Sequence, residues 1–400
     1  MKRNTLSPRV GALLAVVAVA TTGVMLAAPA FDTQASILTD ADDQTNAPSG
    51  VGVLPTLAPL PGNFASALNP GGETPNTGGG GGGSTTTPGA ALPGVPLSLA
   101  GADRVATSIA VAEADFEVAG TGVATRSTKL VARAAVLASS TSFPDALTAG
   151  PLAFDKVAPL LLNGRDSLDS RVSNALTKLV PRTAPVYLVG GEAAIGASVE
   201  SAIEALGYTV TRLAGVDRYE TSVIVARDGL DSPKTVFVAT GLAFPDALAA
   251  GAVAARRGGA ILLSRGEELS ASVETYLLST AGIVTHAVGG PAVRALVAAK
   301  IAATAHQGSD RYATAARLAS AFAPTGGIVG AASGDTFPDG LVAAPYLARR
   351  NGLLLLVRSS SVPTATASYL QGASGVNTVQ VFGGLSVVGD ATRRGLSDLL

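Results

Sequence analysis

Residues 236–264 read VFVATGLAFPDALAAGAVAARRGGAILLS, an alanine-rich segment between two short apolar runs. The runs at 236–239 and 260–264 have the length and continuous apolar character of buried strands. Residues 245–257 begin with proline, which suits the first position of a helix, and continue with alanine. A strand, a helix and a strand in this order predict a parallel sheet with a helical crossover.

The same alternation continues toward the C-terminus. Residues 270–279 and 291–303 have helical patterns, and residues 284–288 form a third apolar run. The unit is therefore predicted to be α/β, starting with a helix and alternating helices with parallel strands, so that helices cover both faces of the sheet.

Four sequence markers occur three times, always in the same order. An Asp-Arg motif is followed by Phe-Pro-Asp, then by an aliphatic triplet, and then by a glycine pair. This order predicts three tandem, domain-sized modules at residues 99–212, 213–305 and 306–400. The markers begin at Asp103, Phe143, Leu160 and Gly190, at Asp217, Phe244, Ile261 and Gly289, and at Asp310, Phe337, Leu354 and Gly383.

Two further segments precede the modules. Residues 1–30 carry Lys2 and Arg3 before an apolar run that ends in Ala28-Pro29-Ala30, which predicts a secretory signal peptide. Residues 31–98 are rich in Pro, Gly, Ser and Thr and have no periodicity, which predicts a disordered linker. The sequence has no cysteine, which excludes disulfides and a lipidated cysteine. We therefore expect a secreted protein that is free of the membrane after cleavage.

The charge balance bears on the class of partner. Residues 99–400 carry 25 basic and 24 acidic side chains, and the whole chain has a formal net charge of −1. Nucleic-acid binding requires a strongly basic face, so we expect no nucleic-acid partner.

Six repeated aspartates are predicted to be structural rather than catalytic. Aspartate is favoured at a helix N-cap and in the first helical turn, where it accepts from free backbone N–H groups and complements the helix dipole. The predicted N-caps are Asp103, Asp217 and Asp310, and the predicted first-turn residues are Asp145, Asp246 and Asp339.

Two sets of repeated arginines are candidate ligand-binding residues, because guanidinium groups bind phosphate and carboxylate in a bidentate manner. The first set follows the N-cap aspartates, and an ion pair between modules is the alternative role. The second set follows the aliphatic strands, at the carboxyl ends where open parallel sheets bind ligands, and a solvated loop residue is the alternative. The sets are Arg104, Arg218 and Arg311, and Arg165, Arg265 and Arg358.

The sequence does not support a nucleophilic triad or a metal centre. His286 and His306 are its only histidines, and neither has a counterpart in the other modules. A Ser-His-Asp triad or a two-histidine zinc site is therefore poorly supported, and no phosphate-cradling glycine motif follows a strand. We predict no catalytic residue, no metal and no cofactor.

Together these motifs resemble the cell wall binding repeat 2 family of secreted proteins from actinobacteria and other Gram-positive bacteria. The resemblance covers about residues 99–400 and is carried by the Asp-Arg, Phe-Pro-Asp-Ala-Leu, aliphatic and Val-Gly-Gly elements. It implies three Rossmann-like or Toprim-like modules packed around a pseudo-threefold axis, so that a monomer forms an internal pseudo-trimer. It also implies non-covalent attachment to the cell wall through anionic secondary polymers such as teichoic-acid-like glycans.

In that family the aliphatic motif and nearby basic residues are associated with polymer binding, which adds Leu161, Leu262 and Leu355 to the candidate ligand-binding residues. The first module departs from the pattern at Val105, where the others have Tyr219 and Tyr312. The third departs at Val357, where the others have a polar residue, and this departure predicts a weaker third site.

The function predicted from the sequence is therefore non-catalytic binding to the bacterial cell wall from the outside of the cell. Members of the family often carry a separate amidase or protease domain, and these 400 residues leave no room for one. Peptidoglycan-associated enzymes are accordingly expected as partners. Two alternatives remain open at this point: a peptidoglycan amidase or amidase modulator, and a surface-layer or adhesin-like structural protein.

Overall fold

The structure, a computed structural model, describes residues 97–120, 128–325 and 327–400. The predicted signal peptide and nearly all of the predicted linker lie outside the described residues. Among the described residues, no helix has both the length and the apolar character needed to cross a membrane.

The described residues form three four-stranded parallel sheets, one per module, with helices between the strands. The α/β fold class predicted from the sequence is therefore confirmed. In the first module the elements are α1 (Arg104–Asp115), β2 (Ala135–Ser139), α2 (Phe143–Ala146), α3 (Ala149–Asp155), β3 (Leu160–Asn163), α4 (Ser170–Leu179), β4 (Val186–Val189), α5 (Ala197–Ala205) and β5 (Val210–Leu213).

The second and third modules repeat this order, with a single long helix in place of α2 and α3. The second contains α6 (Arg218–Ile224), which continues as a π-helical turn to Gly229, then β6 (Thr235–Thr240), α7 (Pro245–Arg256), β7 (Ala260–Ser264), α8 (Ala271–Ser279), β8 (Val284–Val288), α9 (Gly290–Ala298) and β9 (Thr304–His306). The third contains α10 (Arg311–Ala321), β10 (Ile328–Ser333), α11 (Pro338–Arg349), β11 (Leu353–Val357), α12 (Thr364–Gly372), β12 (Thr378–Phe382) and α13 (Asp390–Ser397).

Each sheet has a fourth strand that the sequence did not predict. In the second module the strand order is β7-β6-β8-β9, and β9 pairs with β8 through residues 304–306. The helix predicted over 291–303 is therefore too long, since α9 ends at Ala298. Lys300 has a φ of 57°, in the left-handed region that helices do not use, and the chain turns there toward the sheet.

The third sheet takes its fourth strand from the other end of the chain. β1 (Leu97–Leu99) pairs in parallel with β12, and the Gln380 side chain also donates to the Leu97 carbonyl oxygen at 2.8 Å. β1 therefore stands in the third module where β5 and β9 stand in the others. Leu97 and Ser98 are strand residues, although the sequence interpretation placed them in the linker.

The three modules meet along the central helices α3, α7 and α11. The side chains of Phe143, Phe244 and Phe337 form a triangle with ring centroids 5.8, 6.0 and 6.2 Å apart. One apolar core runs through all three modules, with a further cluster inside the first. The predicted pseudo-threefold packing is confirmed by this arrangement.

Candidate functional site

The Asp-Arg motif of each module lies at the start of a helix. Asp103, Asp217 and Asp310 are the N-cap residues of α1, α6 and α10, and each side chain accepts from backbone N–H groups in the first turn at 2.8 to 2.9 Å. Glu220 completes a reciprocal cap by accepting from the Val216 N–H at 2.7 Å. The motif therefore fixes where each helix begins.

The arginine after the cap reaches the end of the first strand of its own module. Arg104 donates to the Ser140 carbonyl oxygen at 2.7 Å, and Arg218 donates to the Gly241 carbonyl oxygen at 2.8 Å. Arg311 donates in the same way to Gly334 and lies 3.9 Å from the exposed Asp335 carboxylate. These three arginines thus hold the helix start against the carboxyl end of the sheet.

Each of these arginines also lowers the pKa of the Phe-Pro-Asp aspartate of a neighbouring module. The second module contributes the arginine for the first, the third for the second, and the first for the third, so the contacts form a closed ring. Burial raises the pKa of Asp246 to about 6, opposed by the Arg311 guanidinium and by a hydrogen bond to Thr314. Burial likewise raises the pKa values of Asp145 and Asp339. Their opposing groups are Thr221 and Arg218 for Asp145, and Thr107 and Arg104 for Asp339.

The aspartates lie in the first helical turn as predicted, but no helix N–H donates to their carboxylates among the described hydrogen bonds, so the capping predicted from the sequence is wrong for these three residues. They lie at the contacts between modules, and the sequence interpretation missed this role because the partner threonine belongs to the next module. The recurring threonine of the Asp-Arg motif was the available signal.

The glycine pairs are explained by the same aspartates. Gly190 and Gly383 have φ values of 111° and 105°, which favour glycine. A Cβ at Gly190 would lie 2.8 Å from the Asp145 carboxylate, and one at Gly383 would lie 2.7 Å from that of Asp339. Gly289 faces Asp246 in the same way.

The second arginine set lies at the same carboxyl edge, and two of its members stack on tyrosine. The guanidinium carbon of Arg265 is 5.1 Å from the ring centroid of Tyr219, and that of Arg358 is 4.8 Å from the ring centroid of Tyr312. Both tyrosines are buried and both arginines are exposed. Each of these two modules therefore presents a guanidinium group over a fixed aromatic face.

Arg165 does not belong to this arrangement, which corrects the sequence interpretation. The Arg265 N–H donates to the Glu268 carbonyl oxygen and the Arg358 N–H donates to that of Ser361, so these two arginines are equivalent. The Arg165 carbonyl oxygen accepts from Gly196, whereas in the third module the corresponding glycine, Gly389, donates to Ser359.

Arg165 is thus one residue out of register, and Gly164 stands where the other modules have arginine. Its guanidinium pairs with Asp166 at 3.2 Å and donates to the Glu192 carbonyl oxygen at 3.2 Å. The first module therefore lacks both the arginine and, at Val105, the tyrosine of the stacked pair.

The aliphatic triplets do not reach the surface. Leu161, Leu262 and Leu355 lie in β3, β7 and β11 and are at most 1% exposed. A ligand therefore cannot contact these three side chains in this conformation. Their part is to position the loops that follow the strands.

A cleft of about 420 Å³ beside Arg265 separates the start of α6 from the β7–α8 loop. It is lined by Asp217, Glu220 and Glu268 as well as by Arg265. Arg265 is the one basic residue among those that line this cleft, and its guanidinium lies 3.6 Å from the Asp217 carboxylate. A second cleft of similar volume lies between α1 and α4.

The two histidines meet each other rather than a site of the repeated kind. His286 Nδ1 and His306 Nε2 are 3.1 Å apart, packed against Phe237 and Phe322. Within the described ranges, no group of three or more His, Asp and Glu side chains is arranged to hold a metal ion.

Comparisons with known proteins place this geometry in context. The family model for cell wall binding domain 2 matches residues 98–200, 212–303 and 306–393. The N-acetylmuramoyl-L-alanine amidase LytC of Bacillus subtilis strain 168 is 26% identical over 291 residues, which are 72% of this chain and 55% of that protein. The amidase enhancer of the same organism is 28% identical over 236 residues, which are 58% of this chain and 32% of that protein.

Two solved structures share the fold. Cwp8 from Clostridium difficile has a TM-score of 0.66 at 25% identity, covering 76% of this chain and 51% of its own. Cwp6 from the same organism has a TM-score of 0.65 at 24% identity, covering 76% of this chain and 47% of its own. The chain thus spans about half the length of LytC, Cwp8 and Cwp6 and about a third of the amidase enhancer.

Proposed function

Because this chain belongs to the cell wall binding domain 2 family, we propose that it binds the bacterial cell wall non-covalently through an anionic secondary polymer such as a teichoic-acid-like glycan. The observation that carries the proposal is the exposed arginine stacked on a buried tyrosine, repeated in the second and third modules. Guanidinium groups are suited to phosphate and carboxylate oxygens, and stacking holds them in place for contact.

Repetition supports a repetitive ligand. The three modules together, residues 97–400, are called the head. Two linked sites on the head can bind two segments of one polymer. Such linkage raises avidity by on the order of 10² to 10⁴ when the geometry permits both contacts. The proposed location is accordingly the outer surface of the cell, at the wall.

Co-sedimentation of the full chain with purified cell walls tests the proposal. We expect binding to untreated walls, loss of most binding after chemical removal of secondary polymers, and weaker binding as the salt concentration rises, because the contacts are ionic. Binding that survives complete removal of the polymers would show that the polymer is not the receptor.

Combined Arg265→Gln and Arg358→Gln substitution is expected to reduce wall binding with only a small fall in the melting temperature, since both side chains are exposed and lose only their stacking on tyrosine and a weak ion pair. Arg165→Gln is the matched control, because Arg165 is also exposed but lies outside the stacked arrangement. An equal loss in the control would reject the stacked arginines as the binding groups.

A second candidate, modulation of a wall amidase, is favoured by the similarity to the amidase enhancer. The same wall suspension distinguishes the two: a modulator accelerates the fall in turbidity when an autolytic amidase is added, whereas a binding protein alone does not.

A further inference from the structure

The stacked arginines of the second and third modules differ in their charged neighbours. The Arg265 guanidinium lies 3.6 Å from the Asp217 carboxylate, and Glu268 lines the same cleft. The Arg358 guanidinium has no carboxylate within ion-pair distance among the residues that the structure describes, and it is held only by the Tyr312 ring. One of the two exposed guanidinium groups is therefore already neutralised in part.

The loop after each strand produces this difference. The shared backbone turn, in which the arginine N–H donates three residues ahead, aligns Glu267 with Ser360 and Glu268 with Ser361. The third module thus has hydroxyl groups where the second has Glu267 and Glu268. Glu267 pairs with Arg294 at 2.8 Å, so Glu268 is the added carboxylate that is not paired elsewhere among the described ion pairs. Ser359, Ser360 and Ser361 are all exposed, next to Arg358.

The Arg311 side chain lies near the same tyrosine, as the Arg218 side chain lies near Tyr219 in the second module. The Tyr312 side chain packs against Gly334, where the Arg311 side chain also lies. Burial and the Asp335 carboxylate raise the pKa of Tyr312, and the positive charges of Arg358 and Arg311 oppose that rise. The Tyr312 hydroxyl donates to the Asp335 carboxylate at 3.4 Å. The acidic side chains here are Asp335, which lies 3.9 Å from Arg311, and the N-cap residue Asp310, the counterpart of Asp217, which forms no ion pair with Arg358 among the described residues.

We propose that the third module holds the principal anion-binding site of this protein, formed by Arg358 and the hydroxyl groups of Ser359, Ser360 and Ser361, with Arg311 at its edge. The site takes the oxygens of a phosphate or a carboxylate: guanidinium supplies paired N–H donors, and the serines supply O–H donors without opposing charge. This ranking reverses the weaker third site expected from Val357, whose side chain is buried.

The inference rests on the proposed function only for the identity of the polymer, because the ranking of sites can be measured with any polyanion. Arg358→Ala, Arg265→Ala and Arg165→Ala are compared in the full chain, with purified walls and with soluble polyphosphate and polyglutamate. Comparing the two soluble probes distinguishes phosphate from carboxylate as the preferred group.

Arg358→Ala is expected to raise the Kd about tenfold or more, Arg265→Ala about threefold or less, and Arg165→Ala not measurably, because loss of a hydrogen bond from a charged group weakens binding by about a factor of ten or more. A loss in Arg265→Ala or Arg165→Ala that equals or exceeds the loss in Arg358→Ala would overturn the ranking.

Exchange of the acidic positions gives an independent test. Ser361→Glu is expected to weaken binding about as much as loss of the arginine, and Glu268→Ser to strengthen binding by the second module. Unchanged affinity in both exchange variants would contradict the electrostatic basis of the inference. Binding to walls that survives removal of the polymer rejects the proposed function, while the ranking is still decided by the soluble probes.

Discussion

Three residues at one equivalent position decide how closely the central helices approach. Gly150, Gly251 and Ala344 each lie seven residues after the phenylalanine of the axial triangle. A Cβ added at Gly150 would lie 3.0 Å from the Ala344 Cβ, and one added at Gly251 would lie 2.9 Å from it. The contact between the helices therefore accommodates one methyl group, and Ala344 supplies it.

Gly251→Ala is expected to destabilise the head by about 1 to 3 kcal/mol, because an extra methyl group must be accommodated in a closely packed contact. The usual gain in helix propensity on replacing glycine by alanine, about 1 kcal/mol, should not compensate. The free energy of unfolding, measured with urea, checks this expectation.

The double variant Gly251→Ala/Ala344→Gly restores one methyl group at the axis and is expected to recover most of the lost stability. Ala344→Gly alone is the control for the cost of glycine in a helix. A double variant no more stable than Gly251→Ala alone would show that the contact is not the cause.

For single residues, the sequence shows which residue types recur in the three modules, but a recurring residue does not always occupy the equivalent position in the structure. Arg165, Arg265 and Arg358 look alike because each follows an aliphatic triplet, but Arg165 lies three residues after its triplet and the other two lie two residues after theirs. The backbone hydrogen bonds of the turn confirm that Arg165 is shifted by one residue. The recurring threonine is visible in the sequence, but the contact of Asp246 with Thr314 of the next module is not, because it depends on how the modules pack.

Among the elements, the long helices and the buried strands follow from apolar patterns, whereas the fourth strands do not. β9 is three residues long and is composed of Thr304, Ala305 and His306, of which only the histidine is buried. Such a strand is too short for an alternating pattern and pairs on one side only. Its position is fixed by the neighbouring strand β8 rather than by its own sequence.

The pairing of β8 with β9 brings His286 and His306 together and makes this edge sensitive to acid. Burial, together with the charges of His286 and Arg317, lowers the pKa of His306 to about 4. Burial, with Arg257, also lowers the pKa of His286. Because the unfolded chain binds a proton near the ordinary pKa of 6.5, stability is full above that pH and is lost as the pH falls toward 4.

The interface carboxylates act in the opposite sense over the same range. The pKa of Asp246 is about 6 in the folded chain and 3.8 ordinarily, so its contribution is greatest below pH 3.8 and is lost as the pH rises through 6. The raised pKa values of Asp145 and Asp339 act in the same direction. The two kinds of group therefore partly cancel between pH 4 and 6.5.

We expect Asp246→Asn to make the free energy of unfolding fall more steeply as the pH drops from 6.5 to 4.5, and His306→Gln to make it fall less steeply. The full effect of either group is at most about 3 kcal/mol. Urea unfolding at a series of pH values measures how steeply the free energy of unfolding changes with pH in each variant. A loss of stability that is the same at every pH does not affect these slopes. A steeper slope in His306→Gln would contradict the assignment.

For the molecule as a whole, the contact of greatest interest is the one between its first and last described strands. The Gly383 N–H donates to the Leu99 carbonyl oxygen at 3.0 Å, in addition to the pairing of β1 with β12. These hydrogen bonds supply the fourth strand of the third sheet and thereby join the start of the first module to the third. The sequence predicted the three modules but not this closure, because nothing local to residues 97–99 identifies β12 as their partner.

Removal of residues 1–100 is expected to lower the stability of the head by about 2 to 4 kcal/mol, since each lost backbone hydrogen bond contributes about 1 kcal/mol and an edge of β12 is uncovered. Removal of residues 1–96 is the matched control, because it retains β1. Thermal melting and size-exclusion chromatography compare the two variants, and equal stability of both would show that β1 is dispensable.

The same closure constrains the order in which the protein can fold. β1 is synthesised before any module, yet β12 lies near the end of the chain, with Leu97 and Gln380 separated by 283 residues. The first two modules can complete their sheets as the chain lengthens, since their strands are close in sequence. The sheet of the third module is completed only when β12 pairs with β1, and a contact between segments so distant in sequence is expected to slow folding.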